Sequence, residues 1–126
     1  MVKHFSKERG YIVNVDFLKT SFYDFAFVRG KFTSNRKNRI AEKIIKQRNT
    51  LHDLVLDLTR VSDADSSCSA AILSIFKNVK NSERELYICG AKNKVVEYFR
   101  FSNIENFAKS YDNLLDFIRD KKVYEL

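Results

Sequence analysis

Asp65-Ser66-Ser67 is the place where residue types and spacing offer chemistry: two hydroxyls directly behind a carboxylate. These are residues that start helices, because their side-chain oxygens accept hydrogen bonds from the free N–H groups of the first turn. Beyond them Ile72, Ile75, Phe76 and Val79 recur at helical spacing. Both serines then sit where the positive end of a helix points outward. A phosphoryl group added there would bring about −1.5 to −2 charges to a position that favours anions. It would change the surface a partner reads without unfolding the domain. On residue types alone, the plainer reading of the three residues as a simple cap stays open.

The same helix carries a second pattern. Ser66, Ala70, Leu73 and Lys77 follow one another at spacings of four, three and four, along a side that the core face does not use. With Asp65 and Ser67 at its head, this ridge of small and apolar residues is the expected partner-docking surface. The competing expectation buries Leu73 under a neighbouring loop.

Upstream, Leu54, Val55, Leu56 and Leu58 are interrupted only by Asp57, and read as a strand buried on both faces. Strand, polar loop and helix then lie end to end. The whole stretch, LDLTRVSDADSSCSAAIL, resembles the STAS domain of bacterial anti-sigma-factor antagonists. Their signature is an apolar strand ending in Asp, a short loop, Asp-Ser-Ser/Thr-Gly and an apolar helix. Asp57 matches the strand aspartate, Asp65 the loop aspartate, and Ser66 the serine that a partner kinase phosphorylates. Ser67 takes the Ser/Thr position and is the second choice of acceptor. Cys68 stands where the family usually has Gly. Gly30 fits a family Gly-x-Leu-Asp tract, with Phe32 for the Leu and Thr33 for the Asp.

The resemblance covers about residues 11–118 and implies an α/β fold, with a mixed central sheet of four to five strands and about four helices packed around it. It also implies a non-enzymatic module that binds an anti-sigma factor serine kinase and releases it when Ser66 is phosphorylated. An alternative the family offers is the STAS subunit of a phospholipid ABC transporter, docked on its ATPase subunit. There, membrane association would be peripheral and through the transporter only. A scaffold subunit of a stress-sensing assembly is a further option.

Other chemistry finds few residues to perform it. His4 and His52 stand in no metal-ligand spacing with each other or with a cysteine, so no metal and no cofactor are expected. No G-x-S-x-G surrounds Ser66, and Gly10, Gly30 and Gly90 form no phosphate-cradling loop. Cys68 begins a helix, where a thiolate is favoured, so both a redox-sensitive thiol and a small apolar filler are open for it.

Several elements must hold the central stretch in place. Residues 11–18, YIVNVDFL, and 24–30, DFAFVRG, read as two strands paired across Lys19–Tyr23. Ser34 or Asn35 can cap a helix in which Ile40, Ala41, Ile44 and Ile45 make an apolar stripe opposite Arg39, Lys43 and Lys46. This basic helix, around Arg36–Arg48, presents either a solvated face or a contact for phosphates or anionic lipid. Residues 85–90 read as a fourth strand ending at Gly90, parallel to the third. Asn93 heads a short helix with Val95, Val96 and Phe99. Phe99, Asn103 and Ile104 only loosely match the family tract there. Ser110 is expected to cap a last helix carrying Tyr111, Leu114, Leu115 and Ile118 on one side.

At 126 residues the chain suits one domain, with flexible ends at 1–10 and 119–126. Its 44% hydrophobic content supports a packed core rather than disorder. No apolar run approaches the roughly 20 residues of a membrane span, and two cysteines build no disulfide framework, so a cytoplasmic protein is expected. The net charge of +7 is uneven: residues 1–50 carry 12 Lys and Arg against 4 Asp and Glu, residues 51–126 carry 11 against 12. The first half thus suits an acidic partner. Nucleic-acid binding ranks last, because no aromatic side chains interleave with the helix's charges.

Overall fold

The computed structural model describes residues 14–32, 40–92 and 108–124, without the side chains of Phe32 and Ser66. Residues 11–13, Thr33, the caps Ser34 and Asn35, and the short helix from Asn93 lie outside the described residues, as do Asn103 and Ile104.

Strands β1 (Asn14–Lys19) and β2 (Tyr23–Phe32) form an antiparallel pair, with Asn14 opposite Arg29 and Lys19 opposite Asp24. Helix α1 (Ile40–Gln47) leads to β3 (Asp53–Ala64), α2 (Ser66–Asn81) and β4 (Leu86–Cys89). Strand β5 (Lys109–Tyr111) and helix α3 (Leu114–Lys121) complete the described elements. Among the described residues the sheet has five strands in the order β1-β2-β3-β4-β5, with every pair after the first parallel. This is the expected mixed α/β architecture, with three helices among the described residues.

Alternation along the strands divides the core in two. Leu54, Leu56 and Leu58 join Ala26, Val28 and Ile88 beneath Ile40 and Ile44 of α1 and Cys68, Ile72, Ile75 and Val79 of α2. Val55, on the other face, joins Phe25, Tyr87, Cys89 and Phe117. The apolar run at 54–58 is thus buried on both sides of the sheet. Phe117 meets Tyr23, Phe25 and Tyr111 edge-on, with centroids 5.4–5.9 Å apart. That edge-to-face geometry suits aromatic quadrupoles and seats α3 on the second face.

Three expectations need correction. The polar segment after Leu58 is not a loop: β3 runs 12 residues to Ala64. It does so because β2 continues beside it to Phe32, through register shifts around Gly30 (φ 98°). Ser110 does not cap the last helix, since it pairs with Ile88 inside β5. Asn113 is the cap, its Oδ1 accepting the Asp116 N–H at 2.8 Å. That phase buries Phe117 and leaves Leu115 half out of the surface. Lastly, ordered structure passes Arg119: the helix reaches Lys121 and Val123 is buried.

Candidate functional site

Asp65 ends the extended backbone of β3 at φ −130°, ψ −170° and caps α2. Its Oδ1 accepts both the Ser67 N–H at 2.9 Å and the Ser67 hydroxyl at 2.6 Å. The Asp65 carbonyl accepts from Cys68 N at 3.0 Å. One carboxylate thereby occupies the positive end of a 16-residue helix and fixes a serine hydroxyl beside it. Ser66 is the first helical residue; the expected position of its hydroxyl lies outside what is described.

Below this head, Ala70 and Lys77 are exposed and Leu73 is half-buried, while Ile72, Ile75 and Val79 are sealed in the core. Phe76 is only partly buried, packed against the same core. Leu73 of the expected ridge and Phe76 of the expected core face are thus buried to a similar, intermediate degree.

Cys68 lies at the turn after the cap and is fully buried among Ile72, Ala64 and their neighbours. Burial, then the nearby Asp65 charge, pushes its thiol up to about 12. A thiolate is disfavoured there despite the helix start. Of the two readings of Cys68, the structure supports the small apolar filler.

Asp57 is not the end of its strand, but it marks where double pairing ends. It lies opposite Cys89, the last residue of β4, and β3 then continues against β2 alone. Asp57 Oδ1 accepts the Thr59 N–H at 3.1 Å and the Thr59 hydroxyl at 2.6 Å. Gly90, at φ +75°, passes so close that an added Cβ would lie 2.1 Å from Thr59 Oγ1. Gly90 N–H donates to the Tyr111 carbonyl at 3.1 Å. Asp57, Thr59 and Gly90 therefore lock the point where the chain leaves β4, at the same end of the sheet as the α2 start. The sequence reading used Gly90 only as a strand end and missed Thr59; Gly after an apolar strand was the available signal.

A second polar cluster, also missed, lies at the opposite end of the sheet. Buried Asp24 accepts the Asn49 N–H at 2.5 Å through Oδ2 and meets His52 Nδ1 at 2.8 Å through Oδ1. Buried Arg48 donates to Asn78 Oδ1 at 3.0 Å, Ser82 Oγ at 3.2 Å and the His52 carbonyl at 3.3 Å. These bonds tie the ends of α1 and α2 together. Among the described residues no group of His, Cys, Asp and Glu gathers that could hold a metal ion.

The model of the STAS domain family matches residues 26–116. No curated protein sequence matches the chain. Among solved structures, an anti-sigma factor antagonist from Mycobacterium paratuberculosis superposes with a TM-score of 0.72 at 11% identity, over 87% of this chain and 94% of that one. The anti-sigma factor antagonist SpoIIAA in its unphosphorylated form gives 0.67 at 15% identity, over 89% and 100%. Bacillus SpoIIAA in its phosphorylated form gives 0.64 at 14% identity, over 86% and 99%. At these identities the likeness is one of fold.

Proposed function

The chain belongs to the STAS domain family, and from that premise we propose that it is a non-enzymatic protein-interaction module gated by phosphorylation at Ser66 or Ser67. The observation that supports this most is the helix start itself: a serine hydroxyl held on a carboxylate, at the head of an exposed, thinly apolar ridge. In this reading the partner is an anti-sigma-type serine kinase. It seats on Asp65, Ser66, Ser67, Ala70, Leu73 and Lys77 when no phosphate is present.

A phosphate at Ser66 meets the positive helix end, which favours it, whereas one at Ser67 also gives up the hydroxyl's bond to Asp65 and faces that carboxylate. Either phosphate adds a dianion and its bulk where the partner must approach closely, so the contact is lost. Ser66 opens the helix and is the first choice. Ser67 offers a hydroxyl whose proton a neighbouring carboxylate already accepts, the orientation a phosphoryl acceptor needs. Both positions therefore enter the test.

The purified chain is incubated with its cognate serine kinase of the anti-sigma type, and phosphate is mapped by mass spectrometry. Binding is measured for the unmodified chain and for Ser66→Asp and Ser67→Asp. The expected result is phosphate on one serine of the pair and at least about tenfold weaker binding of the matching variant, a loss of roughly 1.4 kcal/mol. Phosphate on neither serine, or equal binding by all three proteins, overturns the proposal.

A further inference from the structure

The end of the molecule opposite Asp65 has a composition of its own. The starts of β2, β3 and β4 converge there with the ends of β1, α1, α2 and α3. Three large side chains stand out from it: Phe22 at 72% exposure in the β1–β2 turn, Leu51 at 77% before β3, and Tyr124 at 85% after α3. Leu18, at the end of β1, is also exposed.

These tips are held. The Phe22 carbonyl accepts the Asp53 N–H at 3.1 Å, and the Leu51 N–H donates to Asn49 Oδ1 at 2.9 Å. Arg84 Nη1 donates to the Leu51 carbonyl at 3.3 Å. Behind Tyr124, Val123 is buried and its N–H donates to the Ile118 carbonyl at 3.1 Å. Bonding on this scale around solvent-facing apolar residues fixes their outward direction.

The charges at this end are mainly basic. Lys80 pairs with Glu85 at 3.2 Å and Arg84 lies 3.8 Å from Asp53. Of the rest, Lys19, Lys46, Lys121 and Lys122 stand against Glu83 and Asp120, with Asp24 and Arg48 buried behind them. Lys19 Nζ bonds the Gln47 carbonyl, which keeps its charge at this end. The far end holds Asp57, Asp63, Asp65 and Asp116 together with the exposed Lys31, Arg60 and Lys92, so its charges are mixed.

We propose that this end is a contact surface for an anionic lipid bilayer. Phe22, Leu51 and Tyr124 enter the headgroup boundary, while Lys19, Lys46 and Lys122 meet lipid phosphates. The apolar tips come from three separate segments, each projecting on its own turn or chain end. A bilayer receives each tip independently, and aromatic side chains favour its interface. The excess of lysine fits a negatively charged leaflet. In that pose the Asp65 end points away from the membrane and stays reachable.

The test is vesicle flotation with the full chain, using phosphatidylcholine alone and phosphatidylcholine with about one third phosphatidylglycerol as the anionic lipid. Binding is expected to the anionic vesicles only, and to fall with added salt. Phe22→Ser with Leu51→Ser, and separately Lys46→Glu with Lys122→Glu, are each expected to weaken it about tenfold or more. The chain has no Trp, so Phe22→Trp supplies a probe whose emission shifts to the blue on insertion. No binding at low salt, binding untouched by either pair of changes, or an unshifted Phe22→Trp emission overturns the proposal. Self-association in sedimentation that the same apolar changes abolish also overturns it, in favour of a second copy of the chain as occupant.

Discussion

Asp65 carries two jobs with one oxygen, and its substitutions separate them. Asp65→Ala removes the acceptor of both Ser67 bonds and should cost about 1–2 kcal/mol in urea denaturation, the usual worth of a cap. Asp65→Asn keeps an acceptor oxygen there and should retain most of that stability. Gly90 makes a different kind of demand. Gly90→Ala places a side chain at positive φ against Thr59, so a loss of about 1–3 kcal/mol is expected. Thr59→Ala in the same chain should recover only part of it, because the backbone strain and the crowding by Thr59 Cα and Cβ remain.

The two thiols give a pH dependence with a defined sign. Burial first, and nearby carboxylates second, raise Cys68 and Cys89 from the usual 9.0 to about 12. Below pH 9 both stay protonated in the folded and unfolded chain and contribute no slope. Between pH 9 and about 12 the unfolded chain releases their protons while the folded chain keeps them. Stability therefore falls as pH rises, by up to about 1.4 kcal/mol per unit for each thiol. Denaturation midpoints across that window should drop more for the wild type than for Cys89→Ala. Thiol titration at pH 8 should find neither cysteine reactive until the chain unfolds.

Among the elements, α2 was the most legible. Its apolar residues repeat at 3.6-residue spacing, and its cap is a residue type with few other uses in that context. The antiparallel β1–β2 pair was legible for similar reasons. Helix α3 was misjudged because Ser110 and Asn113 are both capping types, three residues apart. Only the burial of Phe117, a tertiary fact, chooses between them. The second half of β3 was unreadable, since TRVSDA has no two-residue alternation. What makes it a strand is its neighbour β2, through a bulged register.

The polar cluster at the other end of α2 was hidden for a related reason. Asp24, Arg48, His52 and Asn78 stand far apart in the chain and meet only through the fold. Arg48→Met should leave Asn78, Ser82 and the His52 carbonyl without their buried donor. A loss of about 2–3 kcal/mol in urea denaturation is expected, with the α2 start unaffected.

On the scale of the whole molecule, the two ends of the sheet differ in the side chains they present. One gathers carboxylates, a helix start and a fixed hydroxyl; the other gathers lysines and outward apolar tips. None of this can be read from the net charge of +7, nor from its division between the chain's halves. Parallel strands alternate with helices, so each segment of sequence contributes to both ends. Among the described residues no helix is long and apolar enough to cross a membrane.

The strand order also bears on how the protein is made. Each strand lies beside the one that precedes it in the chain, so β1 to β5 are laid side by side in the order of synthesis. A nascent chain leaving the ribosome can add each β-α unit to a finished edge, and no late strand has to prise apart a closed pair. Assembly in translation order keeps the slow parallel pairings short in range, and the growing edge moves away from β1 with each strand added.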